Sequence, residues 1–270
     1  MAEPSLELHG RDVRATLLPG RGTNGGYSLV IDGTTQSHVN PLDPLDLQLE
    51  YVRLAAGIVD GCVAPRRPLR VLHLGGGALS LPRYVGVMRP GSTQHVVELH
   101  QDLLDFVLDA LPLPQGVELT VEFGDAREAV ERAARADGGY DVAIIDVFSG
   151  ALAPRHLSTL EFLQQLDLLL APDAIVIANT LATRDLAFSR EVAATLAEFR
   201  PNVIALAFPG VIEGASLGNV VLAASAAPLD GERARAAADH GPRPIALLDG
   251  AALDAFIADA SARHDADPTG

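Results

Sequence analysis

The sequence predicts an α/β protein: a seven-stranded, mostly parallel sheet covered by helices, preceded by a small N-terminal β-hairpin unit. Three observations carry this. From residue 70 onward, short apolar runs alternate with helical stretches, as repeated βα units do. One of those runs, residues 140–147 (YDVAIIDV), is apolar almost without a break, as a strand buried on both faces requires. Before residue 40 the runs are instead linked by turn-forming residues.

Residues 13–18 and 27–31 read as strands flanking Arg21-Gly-Thr-Asn-Gly-Gly26, and Asp32-Gly33 turns the chain into a third run, 34–39. Pro41-Leu-Asp-Pro44 breaks the pattern. Residues 45–59 then place Leu45, Leu49, Val52, Ala55, Ala56 and Val59 on one helical face. Ala64-Pro-Arg-Arg-Pro68 is a polar hinge, which sets the expected division at 1–62 for the N-terminal unit with its connecting helix and 63–270 for the larger domain. Beyond it the expected strands are 70–74, 95–99, 117–123, 140–147, 174–178, 203–208 and 220–224. The expected helices are 81–88, 103–110, 126–136, 157–170 and 185–199. The Ala- and Asp-rich stretch 226–270 offers one helix, 250–260, and a polar tail expected to fray.

Apolar residues make up 48% of the 270 positions, enough for a sizeable core. Twenty basic residues, all Arg, against 35 acidic ones give a net charge of −15. Such a chain lacks the basic footprint of a nucleic-acid binder and is repelled by anionic membrane surfaces. Cys62 is the single cysteine, which excludes an intrachain disulfide and cysteine-based metal sites. The eight His show no metal-ligand spacing, so no metal is expected. The N-terminal residues lack the basic and apolar regions of a secretory signal, and no apolar run reaches about 18 residues, so the expected location is cytoplasmic.

The chemistry gathers at the ends of four consecutive strands. Arg70-Val-Leu-His-Leu is followed by Gly75-Gly76-Gly77, where bare backbone can approach a ligand closely. Val96-Val97-Glu98 ends the next strand in an acid able to accept from two ribose hydroxyls. Phe123-Gly124-Asp125-Ala126 offers a carboxylate to an adenine amino group, or merely a cap for the helix that follows. Asp141-Val-Ala-Ile-Ile-Asp146 ends the fourth strand in another acid. Ligands bind at that edge of open α/β sheets, so the set points to a nucleoside site. A nicotinamide dinucleotide is disfavoured, because Ser80 stands where the third fingerprint glycine belongs. Elsewhere, His73 reads as a satisfied core residue, His38 as a solvated turn residue, His156 as lying near a helix start, and Glu50 with Arg53 as a helix surface pair.

These motifs resemble the spermidine synthase (polyamine aminopropyltransferase) family, and most of all its divergent actinobacterial members. Gly75-Gly-Gly, Val97-Glu98, Gly124-Asp125-Ala126 and Tyr140-Asp-Val-x-Ile-Ile-Asp146 look like the family's methyltransferase-type, Rossmann-like domain. Leu29-Val-Ile-Asp32-Gly33-x-x-Gln36 looks like its N-terminal hairpin. The resemblance implies that Gly75, Gly76, Gly77, Glu98, Asp125 and Ala126 hold decarboxylated S-adenosylmethionine. It implies that Asp146, helped by Tyr51, orients and deprotonates an attacking amine, and that Gln36 and Ser149 face that substrate. The implied partner is a small cationic amine or other small acceptor, and a homodimer is one assembly open to the chain.

Two departures qualify that picture. The family's GGGDGG becomes Gly75-Gly-Gly-Ala78-Leu79, and its DSSDP loop becomes Asp146-Val-Phe148-Ser149-Gly150. Two carboxylates for cationic nitrogens are gone. Putrescine is therefore expected to be a poor acceptor, with Ala78→Asp and Ser149→Asp together expected to improve its use. S-adenosylmethionine becomes an equal candidate for the cofactor. A methyltransferase and a non-catalytic nucleoside-binding homologue stay open beside the aminopropyltransferase.

Overall fold

A computed structural model describes residues 4–8, 13–20, 25–133, 139–148, 153–239 and 243–267. The N-terminal unit is a four-stranded antiparallel sheet, β1 (Ser5–Leu8), β2 (Val13–Pro19), β3 (Tyr27–Ile31) and β4 (Thr34–Val39), in that order. It exceeds the expected hairpin unit by β1, whose four residues are too few to show a pattern. Asp32 and Gly33 between β3 and β4 both have positive φ, +48° and +75°, as a tight two-residue hairpin turn demands.

Helix α1 (Glu50–Cys62) starts five residues later than the 45–59 pattern suggested. Side chains hold the preceding chain in turns: Asn40 Oδ1 accepts from the N–H groups of Leu42 and Asp43, and Asp43 Oδ1 accepts from that of Leu45. Glu50 pairs with Arg243 rather than with Arg53.

The large sheet has eight strands: β5 (Arg70–Leu74), β6 (Thr93–Glu98), β7 (Glu118–Phe123), β8 (Tyr140–Ile145), β9 (Leu170–Ala182), β10 (Asn202–Ala207), β11 (Gly218–Ser225) and β12 (Ala246–Leu248). Their order is β12-β10-β11-β9-β8-β5-β6-β7. From β7 to β9 the neighbours are parallel, and β11 runs antiparallel to both β9 and β10. Seven of these strands match the expected seven. The eighth, β12, adds an antiparallel edge of three residues beside β10.

The connecting helices are α2 (Ser80–Met88), α3 (Gln101–Ala110), α4 (Ala126–Ala133), α5 (Leu160–Asp167), α6 (Ala187–Phe199), α7 (Pro209–Ile212), α8 (Gly231–Ala238) and α9 (Gly250–Ile257). Helix α1 contacts both α2 and α8, and α4, α5, α6 and α9 contact one another in turn. Val142, Ala143, Ile144 and Ile145 are consecutive and all buried, so β8 is covered on both faces.

The C-terminal segment does not fray through Asp267. Arg263, only 3% exposed, donates its backbone N–H to Thr195 Oγ1 and its guanidinium to Ser158 Oγ and Glu191. Asp265 pairs with Arg127 of α4 and accepts from Thr159 Oγ1 at 2.7 Å. Among the described residues, no helix is long and apolar enough to cross a membrane.

Candidate functional site

Parallel pairing fixes the site before any side chain is considered. Strands β8, β5, β6 and β7 are neighbours, and their ladder extends past the last paired residues. Asp146 N–H donates to Leu74 O, Gly75 N–H to Val97 O and Gly124 N–H to Glu98 O, at 2.9, 2.9 and 3.0 Å. The four strand ends therefore stand side by side. They form one wall of a cavity of about 570 Å³, within the range that takes a cofactor-sized ligand.

Gly75, Gly76, Gly77, Glu98, Asp125, Ala126, Asp146, Tyr51 and Gln36 all line this cavity. Ser149 lies outside the described residues. Ala78 does not line the cavity. It is 1% exposed and packs with Ala15, Leu17, Leu29 and Leu103 beneath the N-terminal sheet. An acid at 78 would thus enter an apolar cluster, which corrects the expectation that Ala78→Asp restores a substrate contact.

Gly75 must be glycine on two counts. Its φ is +96°, and a Cβ there would collide with the carbonyl oxygen of Asp146. At Gly77, φ is +51° and a Cβ would press on Ser37 Oγ at 2.6 Å. That hydroxyl accepts the Ala78 N–H at 3.1 Å, and Ser80 Oγ donates to His38 O at 2.9 Å. These bonds fasten β4 over the glycine loop and close the cavity from the N-terminal side. His38 is buried within β4, with Nδ1 3.1 Å from Ser28 Oγ, and is not a solvated turn residue. His73 is a core residue bonded to Gln94 at 2.9 Å, and also touches the cavity.

Glu98 is buried and braces the loop. Oε2 accepts from Gly76 N–H and Oε1 from His100 N–H, both at 2.9 Å. A carboxylate has about four acceptor positions, so about two remain for a pair of hydroxyls. Asp125 Oδ1 caps α4, accepting from the N–H groups of Arg127 and Glu128 at 2.9 and 3.2 Å. Its Oδ2 lies 3.0 Å from His156 Nε2. Burial would raise Asp125, but the bonds from Glu128, His156 and Arg127 outweigh it and hold the carboxyl below its ordinary value. The capping role and the cavity-facing role thus coexist on different oxygens.

Asp146 stands at the head of β8. Enclosure by protein pushes its carboxyl up to about 6, against the opposing effect of hydrogen bonds from Asn179 and Tyr51. Asn179 Nδ2 donates to Asp146 Oδ1 at 2.8 Å, and Asn219 Nδ2 to Asn179 Oδ1 at 2.9 Å. The Tyr51 hydroxyl reaches both this carboxylate and Gln36 O, the latter at 3.1 Å, and burial with the nearby negative charge raises it well above its usual range. A carboxylate titrating near neutrality beside a hydroxyl can bind an ammonium and take a proton from it.

Sequence reasoning missed His156, Asn179 and Asn219 as site residues. The asparagines left a signal, since an amide inside an apolar strand is out of place unless bonded. His156 left none, being 31 residues from Asp125. Among the described residues, no group of three or more His, Cys, Asp and Glu could hold a metal ion.

No family model matches the chain. A polyamine aminopropyltransferase of Vibrio vulnificus is 30% identical over 146 residues, covering 53% of this chain and 48% of that protein. The match thus spans about half the length of that curated relative. A probable spermidine synthase from Corynebacterium glutamicum aligns over 100% of this chain and 98% of its own, at 27% identity and a TM-score of 0.87. Human methyltransferase-like protein 13, solved with SAH, covers 80% of this chain and 92% of its own, at 22% identity and a TM-score of 0.54, a likeness of fold alone. The resemblance carried by the strand-end motifs therefore holds: the chain is spermidine synthase-like, in sequence over the matched half and in fold over its whole length.

Proposed function

We propose that this chain is a transferase that binds an adenosyl-sulfonium compound and passes an alkyl group from it to a small amine. One observation carries the reading. Four adjacent strand ends bring the glycine loop, Glu98, Asp125 and Asp146 to one wall of a cavity that Tyr51 and Gln36 also line.

The residues present fit such a cofactor. The glycine loop offers backbone that side chains would obstruct, Glu98 keeps acceptor positions for ribose hydroxyls, and Asp125 keeps one for the base. When bound, the sulfonium supplies a carbon open to displacement, its C–S electron pair leaving with sulfur as a neutral thioether. The chain's own part lies at the other end. Asp146 attracts the ammonium of the acceptor and holds it by charge. At a carboxyl value near 6 it is ionised at neutral pH, yet close enough to accept the proton that must leave before nitrogen can attack. Asn179 holds Oδ1 and the Tyr51 hydroxyl also hydrogen-bonds the carboxylate, so the amine meets the acceptor positions these two donors leave. The Tyr51 hydroxyl also lies 3.1 Å from the Gln36 carbonyl oxygen, which ties this end of the cavity to β4.

The Vibrio and Corynebacterium proteins support aminopropyl transfer, from decarboxylated S-adenosylmethionine, as the leading form of this reaction. The burial of Ala78 supports a second form. With no acid at that position, nothing there selects an aminopropyl nitrogen, and methyl transfer from S-adenosylmethionine uses the same cavity. Incubation with each cofactor and a panel of amines, reading methylthioadenosine against S-adenosylhomocysteine, separates the two. Neither product with any amine would refute the transferase reading.

A further inference from the structure

We infer that His156 is a specificity-determining residue for the base of the bound nucleoside, making the site select a purine whose six-position carries an amino group. The inference rests on the reading that this cavity takes an adenosyl group, and adds to it the residue that reads the base.

Asp125 and His156 both line the cavity, with Nε2 and Oδ2 3.0 Å apart. The carboxylate has about four acceptor positions. Two on Oδ1 are taken by the N–H groups of Arg127 and Glu128, and one on Oδ2 by His156. One remains on Oδ2. It can only accept, so an amino group satisfies it, whereas an oxo group would set oxygen against oxygen. Without His156, Oδ2 could turn toward water or gain a proton, and either change lets it tolerate the oxo base.

His156 is itself held in place by segments distant in sequence. Its backbone carbonyl accepts from Arg127 Nη1 at 3.2 Å, and Arg127 is gripped through two nitrogens by Asp265 at 2.7 and 2.5 Å. Asp265 also accepts from Thr159 Oγ1, three residues beyond His156. The turn carrying the imidazole is therefore fastened to α4 and to the C-terminal segment. This is more support than a merely solvated histidine needs.

The test is calorimetric titration of the full chain with 5′-methylthioadenosine and with its six-oxo counterpart, 5′-methylthioinosine. Wild type, His156→Ala and His156→Gln are compared. Wild type is expected to prefer the amino base by at least about tenfold, as a hydrogen bond to a charged group supports. In His156→Ala the preference should fall to about threefold or less, while His156→Gln, which keeps an N–H donor, should retain most of it. The side chain is substantially exposed, so both variants should fold, with thermal melts as the control. A preference unchanged in His156→Ala overturns the inference while leaving the adenosyl reading intact. Equal weakening of both ligands shows a structural role only, and likewise overturns it. If wild type binds neither compound, the adenosyl reading itself falls.

Discussion

Asn179 donates its side-chain amide to the carboxylate of Asp146 at 2.8 Å, and receives in turn the amide of Asn219 at 2.9 Å. Three adjacent strands, β11, β9 and β8, thus carry a relay whose donors all point toward one acid. Because Asn219 occupies the carbonyl oxygen of Asn179, the nitrogen of Asn179 is the atom left for Asp146. A reversed amide would present oxygen to the carboxylate and make its charge costlier.

Asp146→Asn should uncouple stability from activity. The folded carboxyl, at about 6, sits above the unfolded value of roughly 3.9. The folded state therefore holds its proton more tightly, and this contribution to stability is full below about pH 4 and lost as pH rises through about 6. Asparagine removes that dependence and can still accept from Asn179. Melts from pH 4 to 8 should show the variant gaining on wild type between 4 and 6 and holding the gain above. Transfer should fall about 10²–10⁴-fold. A variant that keeps full activity would reduce Asp146 to a structural role.

Asn219→Ala should act at a distance from the chemistry. Freed from its partner, the Asn179 amide can turn, and Asp146 loses part of the stabilisation of its charged form. The acid limb of kcat/KM against pH should move upward from near 6 while affinity for methylthioadenosine stays within about twofold. An unmoved limb would mean that the relay does not reach Asp146.

Ala78→Asp should fail to improve putrescine use and should destabilise the protein. The side chain would point into Ala15, Leu17, Leu29 and Leu103, and the buried Arg83 close by already gives its guanidinium to the carbonyl oxygens of Ala78, Leu111 and Pro112. An uncompensated buried charge costs about 3–5 kcal/mol. Denaturant titration should show that loss. A well-folded variant with better diamine turnover would show that position 78 reaches the cavity after all.

The docked C-terminal segment should loosen in acid. Hydrogen bonding from Arg127, opposed by slight burial, holds Asp265 down at about 2. A depressed carboxyl adds stability that is present above the ordinary value of roughly 4 and lost as pH falls through about 2. The pair is partly solvated, so the effect is local and modest. Limited proteolysis at pH 6 and pH 3 should show cleavage after about residue 258 rising at the lower pH, and Asp265→Asn should show it already at pH 6.

Much of this was legible in the sequence because the code is local where the sheet is parallel. A buried strand followed by glycine or an acid announces both its burial and its carboxyl end, which is how Gly75, Glu98, Asp125 and Asp146 stood out. What left no such signal was short, low in hydrophobic contrast, or distant. Strands β1 and β12 have four and three residues, too few for a period. Helix α8 is so rich in Ala and charge that its buried stripe, Gly231, Ala234 and Ala238, carries little hydrophobic contrast. The His156–Asp125 pair and the Asn219–Asn179–Asp146 relay join residues 31 to 73 positions apart, and although an amide in an apolar strand marks itself as bonded, no local pattern foretells its partner.

The central claim is that the strand-end cavity holds an adenosyl group through Glu98. The most direct measurement is calorimetric titration of wild type and Glu98→Ala with methylthioadenosine. The account predicts saturable one-site binding to wild type, weakened in the variant by roughly 10- to 150-fold, the span of about 1.5–3 kcal/mol for a lost charged partner. Equal binding by the two proteins, or no binding to folded wild type, would contradict it.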